Sequence, residues 1–122
     1  MKLTKKQLGI TGEKEALTLL EKKGYEILEK NFRCMLGEID LIMTHGEELV
    51  FIEVRSRTDT SFGEPYETVN MKKQNKLYKL AEYYLNLKEL HDRACRFDVI
   101  SLILTPDGSV RKIEHIENAF GI

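Results

Sequence analysis

The sequence predicts an α/β domain of the α+β kind, a mixed central sheet of about five strands flanked by helices. Three observations predict it. Two stretches, from Lys5 to about Gly24 and from about Tyr66 to Leu90, carry apolar residues at helical spacing. Shorter stretches rich in Val, Ile, Leu and Phe, bounded by turn residues, read as strands. The order along the chain is helix, three strands, helix, two strands, and without repeat or linker the 122 residues are expected to form one domain, 1–122.

Thr4 and Gln7 have the T-x-x-Q form of a capping box, which starts the first helix near Lys5; Gly24 is placed to end it. Ala16, Leu17 and Leu20 make its apolar stripe, and Glu13 falls on the same face, an anomaly for an inward stripe. "YEILEKNF" reads as a strand with Tyr25, Ile27 and Glu29 on one side. "GEIDLIMT" and "ELVFIEVRSR", joined by a tight turn around His45-Gly46-Glu47, read as an antiparallel hairpin. After the loop "TDTSFGEPYET", Leu77, Leu80, Ala81, Tyr84 and Leu87 give the second helix its inward face, and Lys72, Lys76, Lys79 and Tyr83 recur on another. "RFDVISLIL" and "SVRKIEHI" are the last strands, with "PDG" turning between them.

Composition narrows the function classes. The chain is 42% hydrophobic and 32% charged, as expected of a compact soluble globule. No apolar run approaches the ~20 residues that span a bilayer, and the basic N-terminus is not followed by a signal-type apolar segment. No membrane partner and a cytoplasmic location are the expectations. Cys34 and Cys95 fit neither a disulfide framework nor a metal spacing and are expected as reduced thiols. A net charge of −1 makes the whole chain no magnet for nucleic acid, so any such partner must use local patches. Lys2, Lys5 and Lys6 form one; Lys72, Lys73, Lys76 and Lys79 form another.

The residues that carry chemistry are acids set in strand-like, apolar segments: Glu38, Asp40 and Glu53. Alternation along a strand puts Glu38 and Asp40 on one face, and Glu53, Arg55 and Arg57 on one face. With a two-residue turn at Gly46-Glu47, Asp40 stands opposite Glu53 and Glu38 opposite Arg55. Carboxylates so placed repel unless a cation lies between them or one is protonated, which suits a hard, oxygen-liganded divalent ion. The competing reading is plain ion pairing of Glu38 and Glu53 with Arg55 and Arg57 across a solvated face. His45, His91 and His115 are scattered and read as surface or turn residues, which leaves no zinc site.

At these residues the chain resembles a known group. "GEIDLI", a turn and "VFIEVRSR" look like the D-x(n)-E-x-K core of the restriction-endonuclease-like, PD-(D/E)xK, superfamily, in its Holliday-junction-resolvase-like branch. With "GITGEKEA", "FGEPYETV", "KKQNKL" before "AEYYL", and "RFDVI", the ordered blocks resemble the small bacterial YraN-like family of predicted nucleases over residues 9 to 104. The resemblance implies a restriction-endonuclease-like fold and Mg²⁺- or Mn²⁺-dependent hydrolysis of DNA phosphodiesters. It implies metal ligands at Asp40, Glu53 and the Val54 carbonyl, with Glu13 joining from the first helix. Arg55 stands where many superfamily nucleases have lysine; a guanidinium cannot take a proton from water, so its role would be to orient it or stabilise charge.

Glu38 is an accessory residue, able to pair with Arg55. The nucleic-acid track is assigned to Arg57, Lys72, Lys73, Gln74, Lys76 and Lys79, with DNA favoured over RNA. Such phosphate contacts position a strand without reading it, so structure-dependent or nonspecific action is expected. Two alternatives stand beside the endonuclease: an inactive nucleic-acid-binding module of the same fold, and an interaction domain. The latter would use Tyr66, Tyr78, Tyr83 and Tyr84 to contact another protein or a second copy in a homodimer.

Overall fold

A computed structural model describes residues 1–121. It contains a five-stranded mixed sheet with one long helix against each face. Helix α1 (Lys5–Lys22) begins at the expected capping box, with the Thr4 hydroxyl accepting from Gln7 N–H at 3.1 Å and the Gln7 side chain accepting from Thr4 N–H at 2.8 Å. It ends in a Schellman arrangement, in which Gly24 (φ +90°) donates to Glu21 and Tyr25 donates to Leu20. Its buried residues are Gly12, Ala16 and Leu20, and the small ones let the helix lie close to the sheet. A Cβ on Gly12 would sit 3.2 Å from Ser56 Oγ.

The sheet runs β1 (Glu26–Cys34), β2 (Gly37–His45), β3 (Glu48–Arg57), β4 (Cys95–Leu104), β5 (Val110–Phe120), in that spatial order. All neighbours are antiparallel except β3 and β4, which are parallel and joined by a 3₁₀ turn (Pro65–Thr68) and helix α2 (Met71–Leu87). The expected hairpin register holds from His45↔Glu48 to Leu41↔Ile52. Leu41, Met43, Val50, Ile52, Ile100 and Leu102 pack under α1. Ile39, Ile42, Leu49, Phe51, Phe97 and Val99 pack under α2. Among the described residues no helix is long and apolar enough to cross a membrane, and Cys34 and Cys95 are both free.

Three expectations are corrected. Helix α2 starts at Met71, not near Tyr66: Pro65 opens a separate 3₁₀ turn, and Asn70 caps the helix by accepting from Lys73 N–H at 3.0 Å. The helix also stops at Leu87, whose side chain is 56% exposed and not part of the inward face. In β1 a bulge at Leu28 shifts the pairing between Ile27↔Met43 and Glu29↔Ile42. It turns Glu29 away from the face of Tyr25 and Ile27 and toward Tyr84, whose phenol is pushed up by burial and then by the Glu29 charge.

Candidate active site

Pairing between β2 and β3 stops at Leu41↔Ile52, one residue before the acids. Beyond it β2 stays with β1 as far as Gly37, and β3 stays with β4 as far as Arg57. The two strands part, and Asp40 and Glu53 stand at the parting. There the Asp40 side chain takes over the ladder's work: Oδ2 accepts from Val54 N–H at 2.8 Å. Glu53 is only 4% exposed. Its Oε2 meets two cations at 3.0 Å each, Arg55 Nη2 from its own strand and Lys73 Nζ from the first turn of α2.

The two carboxyls are hydrogen-bonded to each other. Burial, then the hydrogen bond and charge of Glu53, push Asp40 up to about 9. Burial acts against ionisation of Glu53 as well, but the Asp40 hydrogen bond and the charges of Arg55 and Lys73 outweigh it and hold Glu53 low. The pair therefore shares one proton at neutral pH, with the charge on Glu53. The expected opposition of Asp40 and Glu53 is found; the strand splay converts it from a ladder pair into a side-chain pair.

Three cavities meet at this point, and Val54 lines all three. On the side of α2, about 530 Å³ is bounded by Glu53, Arg55, Lys73 and Lys76 together with Asp40. On the side of α1, about 540 Å³ is bounded by Glu13, Lys14 and Lys30, again with Asp40. Burial raises the pKa of Glu13, the Glu38 charge adds to that, and a hydrogen bond with the Asn31 side chain opposes it. The helical acid thus does face the cleft of Asp40, while Glu53 and its cations lie toward the other helix. Among the described residues no three His, Cys, Asp or Glu side chains gather closely enough to ring an ion. The donors at hand are two touching carboxyls.

Other assignments fare differently. Glu38 does not pair with Arg55: it bonds Arg33 Nε at 3.0 Å across the β1–β2 hairpin, because Arg33 is its register partner. Arg57 donates to the Gly63 carbonyl at 3.2 Å and so shapes the loop after β3. Gln74 uses its amide on the Val69 carbonyl at 3.0 Å. Lys73 and Lys76 line the cleft; Lys72 and Lys79 line none of the three cavities. The spacing of residues along the chain gives no sign that Lys73 pairs with Glu53.

A second polar cluster, at the end of the sheet bearing the β2–β3 turn, corrects the reading of two histidines. The Asp98 side chain is fully buried, and the His115 side chain, 2% exposed, meets it at 2.7 Å. Arg96 Nε donates to Asp98 at 3.0 Å, and Arg96 Nη1 to Glu48 at 2.7 Å. Tyr25 donates to Asp98 at 3.1 Å and stacks on His45 with ring centroids 4.1 Å apart. The cluster gathers residues from β2, β3, β4 and β5, and Tyr25 just before β1, around one carboxylate. The pKa of that carboxylate falls to about 2: burial opposes the fall, and the bonds from His115, Arg96 and Asn118 N–H prevail. The only forewarning in the sequence is Arg96 and Asp98 spaced two apart on a strand.

The profile of a family described as "Uncharacterised protein family UPF0102" matches residues 12–102, a span that includes Glu13, Asp40, Glu53, Arg55 and Lys73. A UPF0102 protein of Moorella thermoacetica is 47% identical over 120 residues, covering 98% of this chain and 100% of that one. One of Desulforamulus reducens is 47% identical over 121 residues (98% and 99% covered). One of Clostridium perfringens is 43% identical over 122 residues, with both chains covered in full. With a family profile and near-complete relatives in agreement, the chain belongs to the UPF0102 family.

Proposed function

We propose that this protein is a metal-dependent phosphodiesterase acting on DNA, with Asp40 and Glu53 as its centre. The observation that carries the reading is the Asp40–Glu53 carboxyl pair, with Glu53 buried, in a cleft that Arg33, Arg55, Lys73 and Lys76 also line. Nothing in folding requires two acids to be pressed together there, and the arrangement is costly without a purpose. The donors fit a hard ion: they are oxygens only, and Asp40 can give up its proton to become a second anionic ligand. Mg²⁺ or Mn²⁺ held by Asp40, Glu53 and the Val54 carbonyl would polarise the scissile phosphate and acidify water.

The chain's own residues account for the rest. Arg55 and Lys73 converge on one oxygen of Glu53 from two elements, so both are poised to neutralise a phosphate entering the same cavity. Lys73 also carries a removable proton, which Arg55 does not. Glu13 sits on the far wall of the Asp40 cleft, where it could orient a water.

A cleavage screen over single-stranded, duplex, flapped and four-way DNA with Mg²⁺ or Mn²⁺ tests this. Cleavage should be metal-dependent and disappear in Asp40→Asn and Glu53→Gln while DNA binding persists. A second reading has one observation in its favour: Lys73 and Arg55 already satisfy Glu53 at 3.0 Å each. If wild type binds these DNAs and cuts none with either metal, the protein is a binding module and the ion pairs are its resting state.

A further inference from the structure

The largest of the three cavities, about 880 Å³, takes no part in the carboxylate chemistry just described. It opens from the same wall, sharing Val54 and Arg55 with the cleft of Glu53. Its charge is one-sided: Lys2, Lys5, Arg55 and Arg57 face it against the single acid Asp59. The other two cavities have acids and bases in near balance. At its rim stands Phe62, 90% exposed.

A lone exposed apolar residue is ordinary. The loop that carries Phe62 is tied at several points. Arg57 donates to the Gly63 carbonyl at 3.2 Å, Gly63 N–H closes on Thr60 at 3.0 Å, and Ser61 N–H is taken by Asp59 at 2.9 Å. Gly63 has φ +103°, a conformation that side chains rarely adopt, so the turn behind the ring is built for glycine. The backbone that carries the N-terminal lysines is anchored as well, because Leu3 N–H donates to the Pro106 carbonyl at 2.8 Å.

We propose that this cavity is a subsite for the unpaired nucleotides of a single-stranded arm leaving the scissile phosphate. Phe62 is the stacking platform for a base, and Lys2, Lys5 and Arg57 hold the arm's phosphates. A space of this size is within the range of organic-ligand pockets (about 300–1,000 Å³). Cations alternating with an aromatic surface are the means by which single strands are bound without sequence preference. The subsite rests on the phosphodiesterase reading and specifies its substrate class: branched or overhanging DNA in preference to blunt duplex. It also moves the main phosphate track from Lys72 and Lys79 to the N-terminal side of the cleft.

The test is binding by the full chain in EDTA, so that nothing is cut. The probes are a blunt duplex, the same duplex with a thymidine arm, and a version with 2-aminopurine in the arm. The arm should tighten binding about tenfold, in line with stacking of one base on an aromatic ring, and 2-aminopurine emission should be quenched. Phe62→Ala should remove both effects and leave blunt-duplex affinity as it was; Phe62→Tyr should keep them. Lys2→Gln with Lys5→Gln should flatten the salt dependence for the armed probe by ~0.7 for each phosphate no longer neutralised. If armed and blunt duplexes bind alike, or Phe62→Ala keeps the gain, the subsite is wrong and hydrolysis at Asp40 and Glu53 is untouched. If no probe binds at low salt, the DNA reading itself falls.

Discussion

Asp40→Asn should make the metal-free protein more stable, by an amount that grows with pH. Asparagine has the shape of the protonated acid. Its carbonyl oxygen can accept from Val54 N–H as Asp40 Oδ2 does, and its amide can donate to Glu53. The wild-type carboxyl titrates near 9 in the folded chain and near 3.9 unfolded. An acid whose folded pKa is raised keeps a proton that the unfolded chain has released, so stability falls as pH climbs from about 4 to about 9. Each pH unit in that window costs ~1.36 kcal/mol, so at pH 7 the wild type should trail the variant by about 4 kcal/mol. Water entering the cleft would reduce this, which makes the figure a ceiling. Urea unfolding across the window measures it directly. Mn²⁺ should reverse the order at alkaline pH, by replacing the proton in wild type and finding no second carboxylate in the variant. Parallel stability–pH curves for the two proteins would refute the shared proton, and with it the physical basis of the metal site.

Other outcomes follow from the same geometry. Arg55→Lys should cleave at least as fast as wild type under single-turnover conditions, and Arg55→Ala about tenfold slower or worse, ~1.4 kcal/mol in the barrier; equal rates for Ala and wild type would remove Arg55 from the chemistry. Substituting Lys73 and Lys76 by Gln should flatten the salt dependence of DNA binding, whereas substituting Lys72 and Lys79 should change it little, because only the first pair lines the cleft; the opposite result would shift the track onto the outer face of α2. The Asp98 carboxylate, held at about 2 by Arg96, His115 and Asn118 N–H, should contribute about 2 kcal/mol at neutral pH. A depressed acid gives stability above its unfolded pKa, so this should vanish as pH falls from about 4 to about 2, and Asp98→Asn should abolish that segment of the acid-unfolding curve.

Features fixed by near neighbours in sequence were legible. The Thr4–Gln7 box and the Gly24 stop each lie within one turn, and the structure has both. The β2–β3 register followed from a two-residue turn, which leaves no freedom in pairing, and it placed Asp40 against Glu53. What depended on a strand's departure from regularity was not legible. The Leu28 bulge reverses Glu29 in a segment where either face offers it a partner, so no apolar pattern betrays it. His45 and His115 looked isolated because they come together only when β2 and β5 are both anchored on Tyr25 and Asp98.

Lys73 is the instructive omission, because a small error in a helix boundary hid it. With a helix starting near Tyr66, Lys73 lies two turns in, one of several lysines on a solvated face. With Asn70 as the cap, it is the third residue of α2, and its own N–H is the one the Asn70 side chain accepts. Side chains of a first helical turn lean back toward the helix N-terminus, and this N-terminus abuts the cleft. The amine therefore reaches Glu53 from a direction that spacing along β3 could never reveal. Two residues beyond Glu53 the strand carries Arg55 and no lysine. In space, Glu53 has a guanidinium from its own strand and an ammonium from the following helix on the same oxygen. The ammonium that β3 lacks two residues beyond Glu53 is, in the folded chain, brought to that carboxylate by a different element.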